Sequence, residues 1–210
     1  MQIAFALYER FTALDIIGPF QTLVDVPGVD GCFVAERTGP VLDHTGRLSL
    51  VATKTFDEVT APDVIVVPGG FADATATADH PVVRWLRRVH PTTTWTTSVC
   101  TGSIFLGLAG IVDGIEATCH WGAMDRLAAL GARPTGRRVV RQGKVITAAG
   151  VSSGIDMGLT LVAEMFGDDM ARAIQLAIEY DPQPPFDAGS PEKAGPELVA
   201  LVTGIMAGAA

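Results

Sequence analysis

The sequence of 210 residues has few cysteines and no basic cluster, and both shortages narrow its possible functions. Three scattered cysteines form neither a disulfide framework nor a paired C-x-x-C metal site, so we expect a reducing compartment, the cytoplasm. The net charge is −8, and no basic run is longer than Arg137-Arg138, which argues against binding to nucleic acid or to anionic membranes. A small molecule is the favoured partner.

Long hydrophobic runs and several enzyme motifs are also missing. The apolar C-terminal stretch 198–210 is shorter than the about 20 residues that cross a bilayer, so we expect a docked helix and no membrane span. Glu9 and Arg10 interrupt the apolar N-terminus before a signal-peptide core develops. No Walker-type G-x-x-x-x-G-K, no G-x-G-x-x-G after a strand and no H-E-x-x-H occurs, so neither a cofactor nor a metal is expected.

Apolar residues are abundant. Segments in which they have the spacing typical of strands alternate with segments in which they have the spacing typical of helices. Hydrophobic residues make up 48% of the chain and charged residues 18%, which suits one domain over residues 1–210. Strand-like runs recur at 3–8, 32–36, 63–67, 94–99 and 144–148, and helix-like segments separate most of them. This order predicts an α/β three-layer sandwich, in which a mostly parallel central sheet carries helices on both faces.

The end of the chain contains a Pro-rich segment, 182–191, which follows a helix predicted over 168–180. Its prolines fix the backbone as extended, so it can form neither helix nor strand. Only a short apolar helix lies beyond it. We therefore interpret the segment as a strap packed on the domain, with Phe186 as its large apolar anchor, rather than as a linker to a second domain.

Cys100 lies in the most informative stretch, 96–110, where a predicted strand runs directly into a helix-forming segment. At such a corner the side chain projects from the carboxyl edge of the sheet, and the N–H groups of the next turn point at it. The helix N-terminus should lower the thiol pKa and favour a thiolate. A buried, inert thiol is the alternative, and Cys32 and Cys119 suit that description better.

Asp15 follows the first predicted strand among apolar neighbours that give a carboxylate little reason to be there. Its spacing from Thr12 also fits a helix cap. However, turns after the carboxyl ends of parallel strands open onto one crevice, so Asp15, Gly69-Gly70 and Cys100 should converge. We predict a functional site at that crevice.

The four histidines are scattered, and only His120, at the end of a probable strand, lies where such a site could use it. A structural, hydrogen-bonded histidine beside Trp121 is an equally good interpretation. A similar ambiguity applies to Asp156, which lies in capping-box position after Ser153 at the start of a helix and is interpreted as structural.

Several short motifs in order resemble the isonitrile hydratase branch of the ThiJ/PfpI superfamily, whose fold is like a class I glutamine amidotransferase. They are Asp-Ile-Ile-Gly-Pro, Val-Pro-Gly-Gly, Thr-Ser-Val-Cys-Thr-Gly-Ser, Cys-His-Trp, Gly-Val-Ser-Ser-Gly-Ile-Asp and Glu-Tyr-Asp-Pro-Gln-Pro-Pro-Phe-Asp-Ala-Gly-Ser-Pro. The resemblance runs from about residue 3 to residue 191, most of the chain.

The resemblance implies that Cys100 is a nucleophile, that Asp15 is its acidic partner, that Thr101 belongs to the site, and that the protein is a homodimer. The amidotransferase and peptidase-like relatives carry a histidine directly after the nucleophile, whereas this sequence has Thr101. A Cys-His-acid triad and peptide hydrolysis are therefore not expected. Some relatives are transcription factors with a helix-turn-helix domain, for which this chain ends too early.

The implied reaction adds water to an isonitrile, R–N≡C, to give an N-substituted formamide. Cys100 would attack the terminal carbon, a thioimidate would form, and water would release the product while a protonated Asp15 moves protons. The N–H groups of Gly70 and Thr101 would stabilise developing charge, with Gly69 in the same turn as Gly70. The Thr101 hydroxyl would either position the water or make a hydrogen bond at the start of the helix.

Two other functions remain open. The first is a glutathione-independent, glyoxalase-type hydration of 2-oxoaldehydes, in which Cys100, an acid and His120 would act together. The second is a non-enzymatic redox sensor, in which Cys100 is oxidised to a sulfinic acid.

Overall fold

The computed structural model describes residues 1–71 and 75–209, and its centre is a seven-stranded sheet. The strand order is β10-β11-β7-β6-β1-β2-β5, and every neighbouring pair is parallel except β10 with β11. A hairpin of β3 and β4 and a short parallel pair, β8 and β9, lie outside it. The strands are β1 (Gln2–Ala6), β2 (Asp30–Ala35), β3 (Gly39–Leu42), β4 (Ser49–Ala52), β5 (Lys54–Thr55), β6 (Val64–Val67), β7 (Trp95–Val99), β8 (Glu116–Ala117), β9 (Arg133–Pro134), β10 (Val139–Gln142) and β11 (Val145–Ala148).

The helices surround this sheet, and the predicted α/β sandwich with a mostly parallel sheet is confirmed. One group packs α1 against α5 and α5 against α6, and α2 contacts α3. The helices are α1 (Ala13–Leu23), α2 (Pro81–Val89), α3 (Gly102–Leu108), α4 (Met124–Ala129), α5 (Ser153–Phe166), α6 (Asp168–Ala177), α7 (Pro191–Ala194) and α8 (Pro196–Ala209).

Strand β6 is apolar without alternation because both faces of the sheet are covered. Each residue of β6 is buried, and so is each residue of β7, although β7 carries polar side chains. Those side chains are satisfied locally: the Thr97 hydroxyl donates to the Ile65 carbonyl at 2.8 Å, and Ser98 shares a 3.0 Å hydrogen bond with Ser103. The predicted strands are confirmed, with bounds that differ by at most two residues.

Neither predicted helix cap forms within the described ranges. The Thr12 side chain makes no capping hydrogen bond. Ser153 is already the first residue of α5 and donates its hydroxyl to the Gly150 carbonyl, and Ser152 before it has helical backbone angles and no capping hydrogen bond, whereas a capping residue is normally extended. Asp156 instead joins Arg138 at 2.6 Å and accepts a hydrogen bond from the Tyr180 hydroxyl at 3.2 Å. Asp156 is thus structural, as predicted, but by an ion pair rather than a capping box.

The chain after α6 is much more exposed than the rest. Residues 181–189 are exposed throughout, and the Phe186 side chain is 80% exposed, so Phe186 does not anchor the Pro-rich segment and the predicted packing of the strap is wrong there. Helix α8 follows where a C-terminal helix was predicted. Across the described parts of the chain, no helix is both long and apolar enough to cross a membrane.

Candidate active site

Cys100 occupies the predicted corner between β7 and α3. Its φ of 57° lies in the left-handed region, which is rare for a residue with a side chain and is found at strained turns. The Cys100 N–H holds this conformation by donating to the carbonyls of Ala148 at 3.1 Å and Ala149 at 3.0 Å. A Cβ atom on Gly102 would collide with the Val67 and Pro68 carbonyl oxygens, which explains the glycine in the turn.

Asp15 lies against Cys100 and is fully buried. Its Oδ2 accepts a hydrogen bond from the Gly69 N–H at 2.9 Å, and its Oδ1 has no partner at good hydrogen-bond geometry among the described residues. The carboxyl group therefore reaches across to the turn after β6 instead of returning to the start of α1. The alternative interpretation of Asp15 as a helix cap is wrong.

Gly69 is the point at which the three turns meet. A Cβ atom there would lie 2.5 Å from the Thr101 nitrogen, 2.7 Å from the Thr101 Oγ1 and 2.8 Å from the Asp15 Oδ2. Any side chain would separate these groups. The predicted convergence of the turns after β1, β6 and β7 is thus confirmed, and it depends on a glycine at this position.

The Thr101 side chain links the turn after β6 to the turn after β7 by hydrogen bonds. The Gly70 N–H donates to the Thr101 Oγ1 at 3.0 Å, and the Thr101 hydroxyl donates to the Gly70 carbonyl at 3.2 Å. The Gly70 N–H is therefore hydrogen-bonded within the protein, which argues against its predicted role as a donor to developing charge. Within the part of the chain described, the Thr101 side chain also makes no capping hydrogen bond to α3. We call Asp15, Gly69, Cys100 and Thr101 the floor of the site.

The electrostatics of the floor oppose a resting thiolate. Burial raises the pKa of Asp15 to about 7, although the Gly69 N–H and the Cys100 thiol lower it. Burial also raises the pKa of the Cys100 thiol well above its usual range, and the charge of Asp15 adds to the rise, while the N–H groups of Val151 and Thr101 oppose it. The predicted lowering of the Cys100 pKa is wrong, because loss of solvent outweighs the short helix behind it. Near neutral pH the pair holds a thiol beside a carboxyl group that gains and loses its proton.

A cavity of about 630 Å³ opens above the floor, within the range of small-molecule sites. Cys100 and Thr101 are exposed to it, and its walls include Phe71, Trp121 and Met206. Asp15 has no exposed surface, so a molecule bound in the cavity contacts the Cys100 sulfur rather than the Asp15 carboxyl group itself. The described lining residues include no Asp, Glu, Lys or Arg, and the wall is mainly apolar.

His120 lies on the wall of this cavity, and both interpretations of it have support. Its Nδ1 accepts a hydrogen bond from the Gly122 N–H at 3.1 Å, and its ring packs on Trp121 with centroids 5.1 Å apart, which is the structural role. Burial lowers the pKa of His120, so the ring is neutral at pH 7. Because Nδ1 is the acceptor, Nε2 carries the proton and is the ring's donor for a ligand.

Sequence reasoning missed several residues at the cavity, among them His44 and Val151. His44 lines it and stacks on Phe71 with ring centroids 5.0 Å apart; the loop that carries it reaches the site through tertiary contacts, which include the pairing of Phe11 with Asp43. Val151 has a φ of 23° and presents its N–H to the Cys100 thiol. The Gly-Val-Ser-Ser-Gly motif was the available signal for Val151, whereas no pattern marked His44.

In ranges 1–71 and 75–209, no three His, Cys, Asp or Glu side chains come together as a group that could hold a metal ion.

Several known proteins resemble this chain in sequence and structure. The model of the DJ-1/PfpI family matches residues 1–164. An isonitrile hydratase from Pseudomonas putida is 42% identical over 199 residues, which cover 95% of this chain and 87% of that protein. The crystal structure of a ThiJ/PfpI family protein from Pseudomonas syringae superposes with a TM-score of 0.93 at 38% identity, covering 98% of this chain and 86% of the other. An HTH-type transcriptional regulator from Pseudomonas aeruginosa, CdhR, is 30% identical over 68% of this chain but only 42% of its own length.

Proposed function

The chain belongs to the DJ-1/PfpI family, and from this premise we propose that it is an isonitrile hydratase, an enzyme that converts R–N≡C and water into the formamide R–NH–CHO. The observation that carries the proposal is the 42% identity to the Pseudomonas putida isonitrile hydratase along nearly the whole of both chains. The contact between Cys100 and Asp15 at the floor of an apolar cavity suits this chemistry.

Isonitrile hydration needs a nucleophile and a proton at one atom. The terminal carbon ends with a new bond to oxygen and a new bond to hydrogen, so both groups must reach the same place. Cys100 and Asp15 are in contact, and Asp15 has a pKa of about 7, which suits a group that both accepts and donates protons near neutral pH. A neutral, apolar R group suits a lining without Asp, Glu, Lys or Arg among its described residues.

In the first half of the proposed reaction, ionised Asp15 accepts the thiol proton as the Cys100 sulfur bonds to the terminal carbon. The electron pair left on that carbon takes the proton from Asp15, giving the thioformimidate R–N=CH–S–Cys100. Asp15 is ionised again, and a thiolate exists only while Asp15 holds the proton. This sequence suits a thiol whose resting pKa is high.

In the second half, water adds to the same carbon, its oxygen forming the C–O bond and one of its protons moving to nitrogen. The C–S bond of the resulting R–NH–CH(OH)–S–Cys100 then breaks. The hydroxyl proton returns through Asp15 to the sulfur, and the formamide leaves. The His120 Nε2–H and the Thr101 N–H are the donors that we assign to the changing charge on the substrate.

The first experiment measures formamide from an aryl isonitrile with wild type and with Cys100→Ala. We expect product from wild type and none above background from Cys100→Ala, because the covalent step needs the sulfur. Cys32→Ser and Cys119→Ser are the matched controls and should turn over normally. Turnover by Cys100→Ala would rule out a cysteine nucleophile, and no formamide from wild type would remove the hydratase proposal.

A glyoxalase-type hydration is the second candidate, because His120 shares the cavity with Cys100. Under this alternative methylglyoxal gives lactate without glutathione, and His120→Ala abolishes the reaction. If the protein is a hydratase, His120→Ala should reduce formamide formation by about tenfold or less, the loss expected for one hydrogen bond of about 1 kcal/mol. Absence of both products would leave a redox sensor based on Cys100.

We also propose a cytoplasmic homodimer. Large apolar side chains are exposed between α6 and the start of α8, which suits coverage by a second copy: Leu176, Phe186 and Leu198. All three cysteines are thiols, which suits a reducing compartment. Light scattering of the purified protein should give the mass of a dimer, and a monomer at micromolar concentration would contradict the assembly.

A further inference from the structure

Helix α8 lies outside the segment matched by the family model, which ends at residue 164, yet it contributes to the catalytic cavity. Thr203 and Met206 line the same space as Cys100. These two residues are more than a hundred positions away from Cys100 in the sequence, and the apolar composition of the segment gave no sign of a role at the site.

The helix is seated on the domain by one stripe of side chains. Val199, Val202 and Met206 are half-buried and recur at helical spacing, whereas Leu201 and Ile205 on another face are 60% and 63% exposed. A second cavity of about 200 Å³ separates Trp121 from Val199 and Val202. Trp121 lines both cavities, so α8 and Trp121 together close one side of the site.

We propose that Trp121, Thr203 and Met206, which we call the outer wall, select the R group of the substrate by size, with Met206 as the determining residue. The floor fixes the reacting carbon on the Cys100 sulfur. Since the N≡C group is linear, the R group must extend away from the sulfur into the cavity and toward its walls. The class of substrate is therefore isonitriles with a bulky apolar R group, such as an aryl ring.

Met206 is suited to this role by its chemistry. Methionine is unbranched, with a flexible thioether that adapts to irregular apolar shapes, so it can accept R groups of different outline. Hydrophobic pockets discriminate modestly, by about 10-fold to 200-fold per methylene-sized change. Selection by the outer wall should therefore appear as a graded preference among apolar substrates rather than as an absolute requirement.

The test compares Met206→Trp with Ile205→Trp, the same substitution on the exposed face of α8. Substrates are 2-naphthyl isonitrile and methyl isonitrile. We expect Met206→Trp to lower kcat/KM for the naphthyl compound about tenfold or more, mainly through KM, and to lower the methyl value less than threefold. Ile205→Trp should change neither. An equal loss for both substrates in Met206→Trp, or no change for either, would overturn the proposal.

The turnover assay rests on the proposed function, so a second measurement is independent of it. Alkylation of Cys100 is followed with iodoacetamide and with the bulky N-(1-pyrenyl)maleimide. Met206→Trp should slow the maleimide about tenfold relative to iodoacetamide, and Ile205→Trp should leave the ratio as in wild type. An unchanged ratio of maleimide to iodoacetamide rates in Met206→Trp would overturn the size selection assigned to the outer wall, even if the protein hydrates isonitriles. A changed ratio without isonitrile turnover would support size selection by the outer wall and would rule out only the proposed hydratase function.

Discussion

The floor and the outer wall of the cavity differ in how firmly the fold holds them. Asp15 is fully buried and Cys100 is 6% exposed, and backbone N–H and carbonyl groups from three strand turns engage the floor. Two of the three outer-wall residues, Thr203 and Met206, lie on α8, a helix in which no residue from 196 to 206 is fully buried. A floor residue therefore cannot move without moving the sheet, whereas the outer wall can adapt without it.

This difference assigns two kinds of function to two parts of one cavity. Chemistry at a single carbon needs a nucleophile and an acid held in fixed geometry. A buried region that is held by backbone hydrogen bonds from several turns provides that geometry. Recognition of an R group tolerates movement, so a lightly seated helix suffices. Substitutions on the floor should lower turnover of every substrate, and substitutions on the outer wall should change the ratio between substrates.

The largest effect is expected from Asp15→Asn, which keeps the shape of the floor and removes the proton carrier that we propose for it. Turnover should fall about 10²- to 10⁴-fold, the usual value of general acid–base assistance. In wild type, kcat/KM should rise with pH through about 7, because the pair must lose one proton before the sulfur can attack. That rise should be absent in Asp15→Asn.

Alkylation of Cys100 is the control for an intact floor in Asp15→Asn. Iodoacetamide should still modify Cys100 at high pH, because the neutral amide no longer opposes ionisation of the thiol. Full activity of Asp15→Asn, or a wild-type pH profile in the variant, would exclude Asp15 from proton transfer.

The second prediction concerns the stability of the floor against pH. The folded pKa of Asp15 is about 7, above its ordinary value of 3.8, so the folded protein binds the proton more tightly than the unfolded chain does. The contribution of protonated Asp15 to the free energy of unfolding is fully present below about pH 4 and is lost as pH rises to about 7. Wild type should lose on the order of 3 kcal/mol relative to Asp15→Asn over this range, at about 1.4 kcal/mol per pKa unit.

Urea unfolding at pH 5 and pH 8 measures this stability difference. Asp169→Asn is the control: that side chain is fully exposed, and because the variant keeps Asp15 it should lose stability with pH as wild type does. Parallel pH curves for wild type and Asp15→Asn would mean that Asp15 is not held with a raised pKa.

Gly69→Ala should separate the turns that make the floor. The new methyl group would lie 2.5 Å from the Thr101 nitrogen, and backbone would have to move, at a typical cost of about 1–3 kcal/mol for overpacking. Turnover of small and large isonitriles should fall alike, by roughly thirtyfold at about 2 kcal/mol. Gly136→Ala, where the added methyl group meets nothing within 4 Å, should resemble wild type. A loss limited to large substrates would show that the floor also selects size.

The smallest effect is expected from Thr101→Val, which keeps the side-chain volume but removes the hydroxyl that holds Gly70. The Gly70 N–H would lose its 3.0 Å partner, which should cost about 1–2 kcal/mol and reduce kcat/KM about tenfold for all substrates. Thr101→Ser retains the hydroxyl and should stay within threefold of wild type. Equal rates for Thr101→Val and Thr101→Ser would make the hydroxyl dispensable.

Much of the fold and half of the site follow from local pattern. The apolar strands, the corner at Cys100 and the meeting of the turns after β1, β6 and β7 are confirmed, because parallel strands bring their carboxyl ends to one edge. Two of the differences have one cause. The helix-cap spacing at Thr12 and the role of the Gly70 N–H were judged from neighbouring residues, whereas in the structure groups distant in sequence bond to those atoms.

The sequence by itself determined where the thiol lies, since hydrophobic period and turn residues are local properties that place Cys100 at the end of a buried strand. Only the tertiary structure decided the protonation of that thiol, because burial and the charge of Asp15 come from packing between distant segments and outweigh the local helix. The tertiary structure also decided what surrounds a substrate. His44, Trp121 and Met206 reach one cavity from separate segments, and no local period encodes such an encounter.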